Sequence, residues 1–592
     1  MAMRTCIISP INISVAILAS WIVLKWSLGD STIYTHIASS DEALSPNDGI
    51  YIWPSRHDYL EDFFSLRSGY FVNVFSDETR PCSFGETSLG RQNAAEWIRT
   101  AFHDLITHDA LSAIGGLDAS IIFELDRPGN VETKASFETT LHFMSLFHTP
   151  RSSIADLLAL GVYVSLANCG GPRIPLRLGR RDATKSDPPG RLLPSPEQGL
   201  ETHRSIFKRA GFSEQDMIAL VACGHTLGGV HRSSFPHITD PDETTANIPK
   251  SGVVHFEREN ESFARFDNTA VLEYLSGNGS NLLVYGRDKR FNSDKRIFAA
   301  DKNDTVRALA SAPVFQDRCA DVFGRMLNLV PHDSERQLSN ALKPVDVKPY
   351  IREQSLNKDG SINFSGRIRV QTGSPTMRSS KDLKVSLLIL DRFGVGTTTI
   401  VASRSIKSAG ISLGYFGEEF TWFEFSTTLR HGRGMTSFKL QLTRPSTGEI
   451  EIKDNFGHGY PASDDLLYLP RYSCLDSTVE DGRLRLRVAA AMRKGSNPPP
   501  SLSLHLWLKV KEKGVPIPVF KTTSIPFHLL EVDVGDYLLY EVVTFVDLLS
   551  WNIRFDITSS TGAAVKFQPT NVLRSSKICD GSAQEYWTGS LR

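Results

Sequence analysis

The stretch Ala94-Ala95-Glu96-Trp97-Ile98-Arg99-Thr100-Ala101-Phe102-His103-Asp104 reads at helical period and carries an Arg and a His four residues apart. That spacing puts Arg99 and His103 on one face of a helix. A fixed cation beside a titratable imidazole can move a proton and stabilise a departing negative charge. The same pair also occurs on solvated helix faces, so these residues alone do not decide the matter. A second stretch does: Ala222-Cys223-Gly224-His225-Thr226-Leu227-Gly228-Gly229-Val230-His231.

Together the two stretches resemble the plant-type haem peroxidase superfamily, over about residues 85–335. The resemblance implies hydrogen peroxide cleavage at a haem b. In that pattern His103 is the general base and then acid, and Arg99 stabilises charge on the departing oxygen. Asn130, in Arg127-Pro128-Gly129-Asn130, matches the Asn that orients the distal His. His225 matches the axial ligand of the iron, and Asp294, in Asn292-Ser293-Asp294, its proximal partner. His231 matches a His near the haem propionates. Ile174 to Asp182, followed by Gly190 to Pro194, resembles the loop beside those propionates. Phe102 sides with the secreted branches of the superfamily.

Calcium is the second cofactor the resemblance implies. The distal ligands would be Asp104, Gly116, Asp118 and Ser120, all oxygen donors. A proximal site would use Thr226 and Asp267, with Glu259 and Ser262 standing where Asp and Thr are expected. Cys169, in Asn168-Cys169-Gly170-Gly171-Pro172, resembles a disulfide-bonded position of secreted members, which suggests Cys82–Cys169. Cys474 and Cys579 share the C-terminal part and form a second candidate pair. Cys223 and Cys319 could pair or stay as thiols.

The remaining signals are coarser. Arg4 precedes an uncharged, mostly apolar run from Ile7 to Leu24, and Ser27-Leu28-Gly29 follows. This fits a signal peptide over 1–29, with a signal anchor as the alternative, and points to a secreted or cell-surface protein. Asn-X-Ser/Thr triplets at Asn260, Asn278, Asn303 and Asn363 are glycosylation acceptors in that setting. A net charge of −1 gives no reason to expect a nucleic-acid partner.

The expected fold is multidomain. A linker over 30–60 leads to a mainly α-helical peroxidase domain over 61–345, with helices at 91–107, 136–147, 152–167, 197–210, 213–223, 267–276, 303–310 and 313–329. Alternating runs after 345 read as strands. They repeat: Ser365 to Val370 resembles Asp481 to Leu486, and Ser437 to Gly448 resembles Ser550 to Gly562. That predicts two tandem all-β sandwich-like domains, 350–470 and 475–585, folding independently of the helical part.

Specialised electron routes are missing from the pattern. Manganese-oxidising relatives place three carboxylates where this chain has Gln92, Glu96 and His231. Leu220 and Pro241 stand at positions that carry a redox Trp in other branches. The expected donors are small phenols and aromatic amines at the haem edge, with Trp97 or Tyr163 as alternative surface relays. The competing reading is a weakly catalytic or non-catalytic cell-surface protein on the same scaffold, with cell-wall polysaccharide as the partner of its β domains.

Overall fold

The computed structural model describes residues 36–38, 51–85, 91–239, 253–256, 264–331, 338–393, 397–430, 432–495, 497–573 and 587. The expected signal segment, Glu259, Ser262, Pro241, Cys579 and the Asn260 triplet lie outside the described residues.

The first half is helical. Asn93–Leu105 carries Arg99 and His103 and lies against Ile154–Asn168, which is apolar on every side because it runs through the core. Gly161 makes the approach possible: a Cβ there would meet Met144 Cε at 2.9 Å and Trp97 Cε3 at 3.3 Å. Glu214–Gly224 delivers His225 at its C-terminus. Its start is fixed by a capping box between Ser213 and Asp216, worth about 1 kcal/mol. The remaining expected helices appear as Lys134–Ser145, Leu200–Arg209, Thr269–Ser276, Asp304–Leu309 and Ala312–Leu327. Disulfides Cys82–Cys169 and Cys223–Cys319 both form, the second tying the His225 helix to Ala312–Leu327. Cys474 is also disulfide-bonded.

The second half is antiparallel β structure in several sheets. Val347–Leu356, Ile362–Thr372 and Glu419–Leu429 pair along their lengths, as do Lys384–Leu390, Thr397–Arg404, Ser437–Arg444 and Glu449–Lys453. The two groups meet through Arg404↔Phe423 and Ser403↔Glu424, and their inner residues, including Ile368, Leu387, Phe423 and Phe438, share one core. Beyond them, Arg483–Arg493 and Tyr537–Asp547 belong to one sheet and Leu502–Val510 and Arg554–Ser559 to another, with Leu486, Val542, Leu504 and Phe555 packed between.

The repeat holds in one place and slips in another. Gly448 and Gly562 both sit in hairpin turns with positive φ, as the second pairing expects. The first pairing is displaced by six residues, from Ser365 to Asp359. Asp481-Gly482 turns one hairpin, and its counterpart is Asp359-Gly360 rather than Ser365-Gly366. Gly366 lies inside a strand, where a Cβ would meet Tyr350 O at 2.3 Å. An even slip preserves the inward–outward alternation, so alternation alone could not detect it.

Two expectations about domain boundaries are corrected. Residues 51–60 are not a linker. Trp53 is 1% exposed and packs with Phe438 and Tyr460 in the β core, and the buried helix Asp58–Ser65 follows. His36–Ala38 adds a strand beside Ala564–Pro569. Nor are the halves separately packed. Tyr59, Phe63 and Tyr70 belong to one core cluster with Tyr350, Tyr415, Trp422 and Phe567. Lys348 Nζ bonds Glu61 and Asp62 at 2.9 and 3.0 Å, and Arg369 holds the same two carboxylates at 2.7 and 2.8 Å. Ser68–Gly69 even pairs with the strand Ile411–Leu413.

Candidate active site

Arg99 and His103 face one cavity of about 850 Å³, whose walls also include Phe102, Val221, His225, Leu227, His231 and Phe235. Arg99 Nε donates toward His103 Nε2 at 3.4 Å, and its guanidinium lies 5.5 Å from the Phe235 ring centroid. His103 Nδ1 is 2.9 Å from Asn130 Oδ1. Asn130 cannot turn over, because its Nδ2 donates to Glu124 O at 3.0 Å. The oxygen therefore faces His103, so Nδ1 carries the proton and Nε2 keeps the lone pair that Arg99 Nε approaches. Burial, with Arg99 adding to it, pushes the His103 imidazole down to about 3. Burial also brings Arg99 down to about 10, still a cation at neutral pH.

Neutral His103 is the form that can accept a proton, so the pH dependence is predictable. The reaction with peroxide is expected to stay flat through neutral pH and to fall only as pH approaches about 3. Rapid-mixing rates across pH check this. A fall with an apparent pKa near the ordinary 6.5 would show that His103 is not held neutral by its surroundings.

On the proximal side, His225 Nδ1 is 2.8 Å from Asp294 Oδ2 and its ring stacks on Phe256 at 4.5 Å. Asp294 is buried yet held below its usual range, mainly because His225 and the hydrogen bonds of Asn281 and Ser293 outweigh desolvation. With Nδ1 engaged, Nε2 is the nitrogen left for a metal. One anchored imidazole, one neutral imidazole with an arginine, and a large mostly apolar cavity between them fit a flat iron-bearing cofactor such as haem. His231 lies in the cavity wall, and burial together with Arg99 and Arg91 brings it down to about 4.

The glycines after His225 follow from close packing. A Cβ on Gly228 would meet Ala95 Cβ at 2.8 Å, and one on Gly229 would meet Val254 O at 2.3 Å. Gly228 N also donates to Gln92 Oε1 at 2.7 Å, while Gln92 Nε2 donates to Cys82 O at 3.0 Å. Gln92 thus joins the two histidine-bearing segments. Glu96 is taken by Arg91, at 2.6 Å through Nε. Of the loop expected near the propionates, residues 190–194 line the cavity. The segment 174–182 instead secures the helix Ile154–Asn168: Asp182 accepts from Ile154 N and Ala155 N, and Arg180 pairs with buried Asp156.

The expected distal calcium ligands are brought together. Asp104 Oδ2 accepts from Asp118 N and Ala119 N, and its Oδ1 from Ile121 N at 2.8 Å, with Ser120 Oγ at 3.5 Å. The carboxylates crowd. Asp104 is raised well above its usual range by burial and then by Asp118. Asp118 is pushed up to about 6 by burial and then by Asp187. Among the described residues no three His, Cys, Asp or Glu side chains are arranged as a metal-binding group. Of the proximal set, Thr226 Oγ1 donates to Asp267 O at 2.6 Å.

No local motif marks Glu124, which holds Asn130 through its carbonyl, or Phe235, Phe256 and Asn281. These lie on loops whose place depends on the tertiary fold. The relay candidates Trp97 and Tyr163 are not on the surface, being 3% and 2% exposed.

A family model described as peroxidase matches residues 84–312. A WSC domain-containing protein of Arthroderma benhamiae is 35% identical over 517 residues, covering 87% of this chain and 66% of its own length. L-ascorbate peroxidase 5, peroxisomal, of Arabidopsis thaliana is 33% identical over 234 residues, 37% of this chain and 74% of that protein. A putative heme-binding peroxidase of Aspergillus fumigatus is 33% identical over 154 residues, 24% of this chain and 47% of its own.

Proposed function

Because the chain belongs to the plant-type peroxidase superfamily, we propose that it is a haem-dependent peroxidase reducing hydrogen peroxide and oxidising small phenolic or aromatic donors at the cavity rim. The observation that carries this reading is that Arg99 and His103, the latter held from behind by Asn130, face the same cavity as His225 backed by Asp294. His225 Nε2 would hold the haem iron, with the apolar walls around Phe102, Leu227 and Phe235 enclosing the ring and His231 at its edge. When bound, the haem supplies the redox centre for cleaving the peroxide bond and withdrawing electrons from the donor. With haem in place, His103 Nε2 would accept a proton from one oxygen of hydrogen peroxide and return it to the other, which departs as water. Arg99 stabilises the negative charge on that leaving oxygen. Asn130 keeps the proton on Nδ1 throughout.

Donor range tests the reading. Glu96 is neutralised by Arg91 and Gln92 is held by backbone groups, so a hard divalent ion finds little at that rim. Small phenols and aromatic amines are expected to turn over, with little Mn(II) oxidation and poor activity on non-phenolic aromatic alcohols. Steady-state assays of the haem-loaded protein decide it: saturable Mn(II) turnover, or inert phenols, would contradict the assignment.

Calcium at Asp104, Gly116, Asp118 and Ser120 belongs to the same proposal. A divalent cation would relieve the carboxylate crowding that burial creates. Chelation is expected to lower the melting temperature, and Asp118→Ala to abolish that sensitivity. Metal analysis finding no calcium in protein purified with it would remove the site. The proximal set rests on Thr226 and Asp267, with Glu259 and Ser262 as the other proposed ligands.

The disulfides support an oxidising compartment and a secreted or cell-surface location. A second reading, a cell-surface protein whose β sheets bind wall polysaccharide, is favoured by one observation. The Arthroderma relative aligns across 87% of this chain, and its name carries a WSC domain rather than an activity.

A further inference from the structure

Two N–H donors converge on a single carboxylate oxygen behind the cavity. His225 Nδ1 lies 2.8 Å from Asp294 Oδ2, and Asn281 Nδ2 donates to the same atom at 2.9 Å. The other oxygen, Oδ1, accepts from Ser293 Oγ at 3.2 Å. Asp294 and Asn281 are 1% and 5% exposed, so water does not screen this arrangement. The amide orientation is determined. Asn281 Oδ1 accepts from Leu283 N at 2.8 Å, at the start of the short helix Leu282–Tyr285, which leaves its NH2 for Asp294. The side chain is therefore held at both ends.

We propose that Asn281 is a positioning residue that sets the ligand strength of His225 by taking part of the charge on Asp294 Oδ2. This rests on His225 being the haem ligand, as argued above. A carboxylate oxygen shared by two donors offers less negative charge to each. His225 then holds its Nδ1 proton more firmly, and its Nε2 donates less strongly to a metal. Weaker donation at the axial position favours reduced over oxidised iron, so Asn281 raises the Fe(III)/Fe(II) potential relative to a site in which Asp294 served His225 alone. Asn281 thus sets how readily the resting iron is reduced, and no local motif marks it, because its partner lies thirteen residues downstream.

Asn281→Ser isolates the effect. Serine still offers an oxygen to cap Leu283 N, but it is too short to reach Asp294. In the haem-loaded full-length protein, spectroelectrochemistry is expected to show a more negative midpoint potential for Asn281→Ser than for the wild type. Resonance Raman of the ferrous form is expected to show the iron–histidine stretch at higher frequency. A purely structural role in capping would move neither. If Asn281→Ser does not retain haem, Ser293→Ala supplies the test, since it removes the donor at Oδ1 and should shift the potential the same way by less. A potential that stays put or rises in the variant measured overturns the proposal. Wild-type protein that takes up no haem overturns the ligand assignment itself, which separates the two failures.

Discussion

His103→Leu is expected to leave haem retention intact and to slow the first reaction with hydrogen peroxide by several orders of magnitude. Removing a general acid–base group usually costs about 10²–10⁴-fold. The loss here should be larger, because the variant also leaves Arg99 without the imidazole that moves the proton past it. The two side chains are 3.4 Å apart on one helix face, and Asn130 holds the imidazole in the tautomer the step needs. Leucine is close in volume to histidine and sits beside Phe137, so the pocket should survive the change. Rapid-mixing spectra give the rate directly. An unchanged rate would remove His103 from the chemistry, and a variant unable to hold haem would show that its role is structural.

A chain ending at residue 345 is expected to be insoluble or to lose haem binding. This reverses the sequence-based expectation of independent domains. Truncation would uncover Tyr59, Phe63 and Tyr70, which are buried against Tyr350, Trp422 and Phe567. A contiguous apolar face of that kind favours aggregation. The ion network gives a milder and more quantitative test. Arg369→Met roughly keeps the side-chain volume but removes the guanidinium that pairs with buried Glu61 and Asp62, while Lys348 stays bonded to both. Breaking one side of a buried pair costs about 3–5 kcal/mol, a large part of the ~5–15 kcal/mol that holds a typical protein folded. Thermal unfolding of the full chain reads the effect. A truncated protein that is monomeric, haem-loaded and as stable as the whole would show that the interface is dispensable.

The same interface shows why part of the fold was hidden in the sequence. Asp58, Glu61 and Asp62 look like the solvated face of a polar segment. They are buried because Lys348 and Arg369 reach them from nearly three hundred positions away, as the separation of 287 between Lys348 and Glu61 shows. No local period carries that information. By contrast, Arg99 and His103 were legible, since a helix fixes i, i+4 neighbours. His225 was legible through the family pattern of the stretch Ala222 to His231, and the structure adds a packing reason for the glycines that follow it, Gly228 and Gly229. Asn130 and Asp294 came from a whole-family pattern rather than from spacing, and the structure places both against their histidines. Glu96 marks the opposite limit. Its carboxylate type was readable, but its neutralisation by Arg91 was not. Asn281 left no trace at all, because an asparagine before a short helix reads as a cap and its second role depends on a tertiary contact.

On the proposed reading, Arg99 and His103 on one wall and His225 on another build a single cavity for a peroxide-cleaving haem. The most direct measurement is the visible absorption spectrum of the full-length protein and of His225→Ala, titrated with haem and then mixed with one equivalent of hydrogen peroxide. Wild-type protein is expected to saturate at one haem per chain, with a Soret band that shifts at once on adding peroxide, while His225→Ala binds haem weakly or not at all. A wild-type protein with no stoichiometric Soret band would contradict haem binding at His225, and a band that peroxide does not move would contradict the peroxidase reading.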